Sequence, residues 1–273
     1  MERIQSALAK ARAARQGQTR QGDQGATPQT SKADKALRDA WMAVPEVRLN
    51  RKRLLKKRVT AFESGRSSAE FDRLRTRILS VAGPKGWRKI AIVSPSAQNG
   101  KSTVATNLAF SMARHSHRNT LLMELDLRRP SIAAMLGLSP ALDLSRVLEG
   151  KGELAQNAAR FGSNLIVAPS NAVRGGTAEL LQDPSTVDAI DAVIDDYQPS
   201  IVLFDMPPMG VGDDVIGFLD QVDCALIVVA AGTTTLDQID ACEREVAQLT
   251  NVLGVVLNKC RFESQVSDYD DYY

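Results

Sequence analysis

Ala91-Ile-Val-Ser-Pro-Ser-Ala-Gln-Asn-Gly-Lys-Ser-Thr-Val-Ala-Thr-Asn-Leu108 reads as an apolar strand, a tight loop and the opening of a helix. Val104, Leu108, Ala109 and Met112 recur at helical spacing. In that order the loop predicts a phosphate cradle. Backbone N–H groups from Asn99 to Ser102 would face phosphate oxygens, with the positive end of the helix dipole behind them. Lys101 would reach the β- and γ-phosphates, and the Ser102 hydroxyl would complete a Mg²⁺ shell. Gly-Lys-Ser alone is a common tripeptide; the strand before it and the helix after it make an ordinary surface turn a poor reading. The predicted nucleotide contacts are Gln98, Asn99, Gly100, Lys101, Ser102 and Thr103. Pro95 stands where a standard loop has its first glycine, and Gln98 where deviant loops often have another. The pattern therefore belongs to the deviant branch of such loops, which draws on carboxylates further along the chain.

Two apolar strands supply those carboxylates. Thr120-Leu-Leu-Met-Glu-Leu-Asp-Leu-Arg-Arg-Pro130 ends in Glu124 and Asp126, which two-residue alternation places on one side of a strand. Ile201-Val-Leu-Phe-Asp-Met-Pro-Pro208 is a buried-strand sequence closing on Asp205. Carboxylates at the carboxyl ends of parallel strands face the ligand crevice of an open α/β sheet. Asp205, Ser102 and Asp126 are the expected metal ligands. A solvated acidic strand end remains an alternative for Glu124.

The chain ends Ser267-Asp-Tyr-Asp-Asp-Tyr-Tyr273, so three of its four tyrosines fall in the last five residues. No apolar period surrounds them. An acidic, phenol-bearing segment of this kind reads as a phosphoacceptor, a solubilising tail or a docking peptide.

Taken together, Gly100 to Thr103, Glu124-Leu-Asp-Leu-Arg128 and Asp205 to Pro208 resemble the marks of the bacterial tyrosine kinases of capsule and exopolysaccharide synthesis. These are P-loop autokinases of the MinD-like superfamily. The resemblance runs over about residues 45 to 273 by motif order and spacing. It includes Arg129-Pro-Ser131, Leu136-Gly-Leu138, Leu144 to Gly150, Ala178-Glu-Leu-Leu181, Asp213-Asp214 and Gly254 to Asn258. It implies ATP and Mg²⁺ as cofactors, and Tyr269, Tyr272 and Tyr273 as acceptors. Lys101, Asp205, Asp126, Glu124 and Arg128 become the catalytic candidates. Asp126 would orient or deprotonate the tyrosine hydroxyl, Arg128 would steady a phosphate or a neighbouring subunit, and Asn258 would contact adenine. The implied partners are a membrane-anchored polysaccharide co-polymerase or adaptor and further copies of the chain.

Two departures stand out. Glu124 replaces the usual first aspartate, and the added methylene moves its acid by more than about an ångström, where reacting atoms must approach to about 3 Å. A Glu-x-x-Arg-x-x-Arg element that binds relatives into a ring is reduced here to Arg75, with Ala69 and Asp72 at its other places. Two rivals follow: a MinD/ParA-like ATPase switch, whose early loop lysine would be Ser96 here, and a catalytically weak ATP-binding adaptor.

Alternating strand and helix patterns predict a doubly wound, mainly parallel α/β sheet with helices on both faces. Strands are expected over 90–94, 119–124, 165–168, 201–205, 224–230 and 254–258. Helices are expected over 102–113, 131–136, 186–196 and 236–249. The organisation reads as an N-terminal helix and flexible linker (1–47), a basic segment and helix (48–84), the P-loop domain (85–262) and the tail (263–273). Segment 48–58 carries Arg48, Arg51, Lys52, Arg53, Lys56, Lys57 and Arg58. It suits an anionic membrane surface or an adaptor, with a solvated basic face as the alternative; without a stacking surface beside it, nucleic acid is disfavoured. A net charge of +2 carries no general polyanion signature. Cys224, Cys242 and Cys260 lack metal spacing and read as buried thiols in a reducing cytosol. Without an apolar run of transmembrane length or a leader, the expected place is the cytoplasm, peripheral to the inner face of the cell membrane.

Overall fold

The computed structural model describes residues 32–115 and 118–260. The chain divides after residue 36, and the second unit holds the whole sheet. Residues 1–31 of the expected N-terminal helix and linker, and the tail tyrosines, lie outside the described residues.

In chain order the helices are α1 (Lys32–Ala43), α2 (Arg51–Lys56), α3 (Ala69–Lys85), α4 (Lys101–Ala113), α5 (Ile132–Leu136), α6 (Leu144–Leu148), α7 (Leu154–Asn157), α8 (Thr177–Gln182), α9 (Pro184–Tyr197) and α10 (Leu236–Leu249). The strands are β1 (Lys89–Val93), β2 (Thr120–Glu124), β3 (Ala159–Phe161), β4 (Leu165–Ala168), β5 (Ile201–Asp205), β6 (Cys224–Ala230) and β7 (Asn251–Asn258). They form one sheet in the order β3-β4-β2-β5-β1-β6-β7, parallel except for β3 against β4. From β1 the chain crosses to β2, runs out to the β3–β4 edge, returns with β5 between β1 and β2, and ends with β6 and β7 on the other side of β1. The loops leaving β1, β2 and β5 therefore lie side by side at the carboxyl edge.

Both sheet faces are buried, which explains why the strands read as unbroken apolar runs. Ala91, Val93, Val202, Phe204 and Ile227 enter one core with Leu181, Ile190, Val193 and Val246 from helices. Ile90, Ile92, Leu203 and Leu226 enter the other, with Leu108 and Met112 of α4. Helix α4 is buried on several sides, and Asn107 holds a loop onto it: its Oδ1 accepts from Thr60 and Ala61 N–H at 2.7 and 3.0 Å.

The predicted strands and helices all form, with shifted ends. β7 begins three residues early, at Asn251: Ala225 pairs with Val252 and Leu226 with Gly254, so the register shifts at Leu253 and Gly254 lies inside the strand instead of opening it. The short antiparallel β3 and helices α1, α6, α7 and α8 carry too few periodic positions to stand out from sequence. Trp41 and Val44 belong to the core although they fall within the segment 1–47 read as helix and linker. The basic segment forms only the six-residue α2, capped by Asn50. Cys260 is exposed, so of the three thiols only Cys224 and Cys242 are buried.

Trp41 is 2% exposed, and its indole N–H donates to the Tyr197 carbonyl at 2.7 Å. Trp41→Ala should cost about 3–5 kcal/mol of stability. Urea unfolding is the check: a lower midpoint at unchanged slope is expected, and an unmoved midpoint would mean this helix contributes nothing to the fold.

Candidate active site

The loop after β1 closes on itself. Ser94 Oγ donates to the Ser96 carbonyl at 2.7 Å, and Ser96 Oγ meets Asn99 Oδ1 at 3.4 Å. Gln98 takes a left-handed φ of 65° and Gly100 a φ of 91° before α4 begins at Lys101. Gly100, at the N-cap, offers no side-chain cap, which leaves the first N–H groups of α4 directed at the crevice. Glycine is required there twice over, since a Cβ would fall 2.2 Å from Asn258 Nδ2. Lys101 is 5% exposed.

Asp205 ends β5 beside this helix start. Its carbonyl accepts from the N–H groups of Leu125 and Asp126 at 2.8 and 3.0 Å, tying the two acidic loops together. Its carboxylate is fully buried, and neither oxygen has a partner in hydrogen-bond geometry. The Ser102 hydroxyl lies beside it without completing that geometry. Burial pushes Asp205 up to about 7, opposed by Lys101 and Ser102 and helped by Asp126. Burial also raises Asp126, against the pull of Lys101 and the Arg129 N–H, which donates to Asp126 Oδ1 at 3.1 Å.

Glu124 is placed differently from the alternation argument. β2 stops at Glu124, so Asp126 lies beyond the strand. Glu124 Oε1 accepts from Ser131 and Ile132 N–H at 2.5 and 2.8 Å, and Oε2 from Ser170 N–H at 3.0 Å. The longer side chain reaches two neighbouring loops and pins them. Burial, then the Asp205 charge, lift it to about 8 against those three donors.

Arg128 forms a 2.8 Å ion pair with the buried Asp214, whose other oxygen accepts from Thr177 Oγ1. Asn258 Nδ2 donates to the Asn99 carbonyl at 2.9 Å. The structure thus gathers Lys101, Ser102, Asp126 and Asp205, with Arg128 held at the rim. Glu124 is turned into the loops, and Asn258 against the phosphate loop. Sequence reasoning passed over Thr177, Ser170 and Lys259, and used Asp214 only as part of the motif match; a buried aspartate in the segment after Pro208 was the available signal. Arg75, the remnant of the ring element, is turned inward to Asp72 and to Ser111, each at 2.9 Å.

Orphaned carboxylate oxygens beside a hydroxyl suit a hard cation such as Mg²⁺, which takes one or two carboxylates and completes its octahedron with water and phosphate.

A glycine-pivoted loop at a helix start, with a buried lysine facing a strand-end aspartate, defines the class: a P-loop NTPase. The family model described as "ParA: NUBPL iron-transfer P-loop NTPase" matches residues 87–271, more than half of the chain, and the chain belongs to that family. Among its relatives is tyrosine-protein kinase CpsD of Streptococcus pneumoniae serotype 4, 28% identical over 187 residues, or 66% of this chain and 79% of that one. The succinoglycan biosynthesis transport protein ExoP of Rhizobium meliloti is 28% identical over 190 residues, covering 68% of this chain and 24% of ExoP. The kinase domain of the Escherichia coli tyrosine kinase ETK shares the fold, with a TM-score of 0.66 at 24% identity over 74% of this chain and 79% of that domain.

 The chimerical protein CapA2B2 has the same TM-score and identity, over 72% of this chain and 86% of that one.

The two raised carboxyls have a consequence for stability. Their ordinary values are 4.5 for Glu124 and 3.8 for Asp205, so between these and about 8 and 7 the native state holds protons that the unfolded chain has lost. Their joint contribution to stability therefore falls as pH rises through that window. Thermal melts of the metal-free protein across it should show Asp205→Asn losing less stability with rising pH than the wild type. Parallel profiles would mean that Asp205 is already ionised at low pH.

Proposed function

We propose that this chain is an ATP-dependent protein-tyrosine autokinase that regulates the synthesis and export of an extracellular polysaccharide. The observation that carries the reading is the buried, unpartnered Asp205 carboxylate beside Ser102 and Lys101, with Asp126 at the same crevice. The kinship with tyrosine-protein kinase CpsD and with a succinoglycan transport protein supports it.

Mg²⁺, held by Asp205, Ser102 and Asp126, would supply positive charge to the phosphates. Lys101 and the N–H groups of residues 98–103 bind the β- and γ-phosphates and neutralise the charge that spreads over them in transfer. A tail phenol attacks the γ-phosphorus, the bond to the β–γ bridging oxygen breaks, and ADP leaves. The phenolic proton passes to Asp126. A free phenol has a pKa of about 10, and burial raises Asp126 towards it, which makes the carboxylate a better acceptor. Arg128, fixed by Asp214, steadies the phosphate or a neighbouring subunit. The acceptors are Tyr269, Tyr272 and Tyr273.

Among the described residues no helix is long and apolar enough to cross a membrane. The kinship with capsule and exopolysaccharide kinases supports a place in the cytoplasm beside a membrane-anchored co-polymerase. Exposed Leu49 and Leu55 among the cations of 48–58 suit an anionic leaflet. Homo-oligomers would have to form without Arg75, which is engaged within its own chain.

Purified protein incubated with Mg-ATP, with and without the co-polymerase, should gain phosphate on the tail tyrosines by peptide mass spectrometry. Lys101→Ala should lower that signal by at least about 100-fold, as expected for a group that stabilises transferring phosphate. Nucleotide binding without any phosphotyrosine in either condition would leave the ATPase switch or the adaptor in its place.

A further inference from the structure

Asn258 is the last residue of β7, and its side-chain nitrogen donates to the Asn99 carbonyl at 2.9 Å. The next residue, Lys259, turns into a left-handed conformation at φ 59°, and its Nζ donates to the Gln98 carbonyl at 2.6 Å. Two consecutive residues thus hold two consecutive carbonyls of the phosphate loop. Only the amide nitrogen of Asn258 can donate to a carbonyl, so the orientation of that side chain is fixed by the contact. Asn99 adds a third tie, its Nδ2 donating to the Val228 carbonyl of β6 at 3.4 Å.

In a trans peptide the carbonyl and the following N–H point in opposite directions. Drawing the carbonyls of Gln98 and Asn99 towards β7 therefore turns the N–H groups of Asn99 and Gly100 away from it, into the crevice. The loop needs such help. Pro95 and Gln98 occupy places where glycines would let the backbone bend without strain, and Gln98 holds a left-handed φ of 65°.

The geometry points to Asn258 and Lys259 as positioning residues that clamp the phosphate loop and set its amide donors. Asn258 thereby acts on the phosphates through the loop and not on the base. This rests on reading the loop as a phosphate cradle, and it does not depend on tyrosine transfer.

The test compares binding of Mg-ATP and of inorganic tripolyphosphate by calorimetry, in the wild type, Asn258→Ala and Lys259→Met. Each variant should weaken both ligands by the same factor, about 5- to 30-fold, the size expected when one such hydrogen bond is lost. Loss for ATP alone would make Asn258 a base contact and overturn the clamp. Unchanged affinity for both ligands would overturn it too. Lys259 is exposed, so its variant keeps the test open should Asn258→Ala fail to fold, which a thermal melt reports. A wild type that binds neither ligand would sink the cradle reading and the clamp together. A wild type that binds both but leaves its tail unmodified would sink the kinase reading alone.

Discussion

A carboxylate with no hydrogen-bond partner, fully buried at the end of the central strand β5, is the constraint around which this molecule is arranged. Taking such a group out of water costs several kcal/mol unless a charge compensates it. Lys101 is the compensating charge nearby, and it too is buried. Neither group contributes to the apolar cores. Both are held by them: β1 and β5 are covered on both faces, which fixes the strand ends from which the two side chains emerge. The stability spent on this pair is recovered in layers of Ile, Leu, Val and Phe that take no part in chemistry.

The second carboxylate loop depends on the same point. Because the Asp205 carbonyl accepts from Leu125 and Asp126, any shift of β5 moves Asp126 with it. Glu124 works beneath them as a brace. Its three backbone donors come from the start of α5 and from the turn after β4, so one side chain ties together loops far apart in sequence. The added methylene gives this acid its reach for the bracing.

Much of this was legible in the sequence. Lys101, Ser102, Asp126 and Asp205 are polar residues at the ends of apolar runs, and a buried parallel sheet gives such residues few other places to be. The rest depended on tertiary contacts that no period announces. Alternation set Glu124 beside Asp126, but the strand ends at Glu124 and the backbone turns away. Asn258 stood at the correct edge of the sheet, yet its neighbour in space is the Asn99 carbonyl, 159 residues away in sequence. The β3 edge is covered by the stretch around Pro45 and Val47, which exchanges backbone hydrogen bonds with Arg160. That pairing has no signature in either segment. Arg75 kept its place in a recognisable motif while its side chain was recruited by Asp72 and Ser111.

The position of Lys259 also bounds the reach of the last three tyrosines. Tyr269 and Tyr273 follow it by ten and fourteen residues. Even a fully extended chain keeps them within about 35 to 50 Å of the Gln98 carbonyl. If these tyrosines are the acceptors of the proposed reaction, their supply at the crevice is set by the covalent chain, whatever the amount of protein in the cell. What would remain to be regulated is access to the crevice. Each phosphate added would place about two negative charges within that reach of the site that made it.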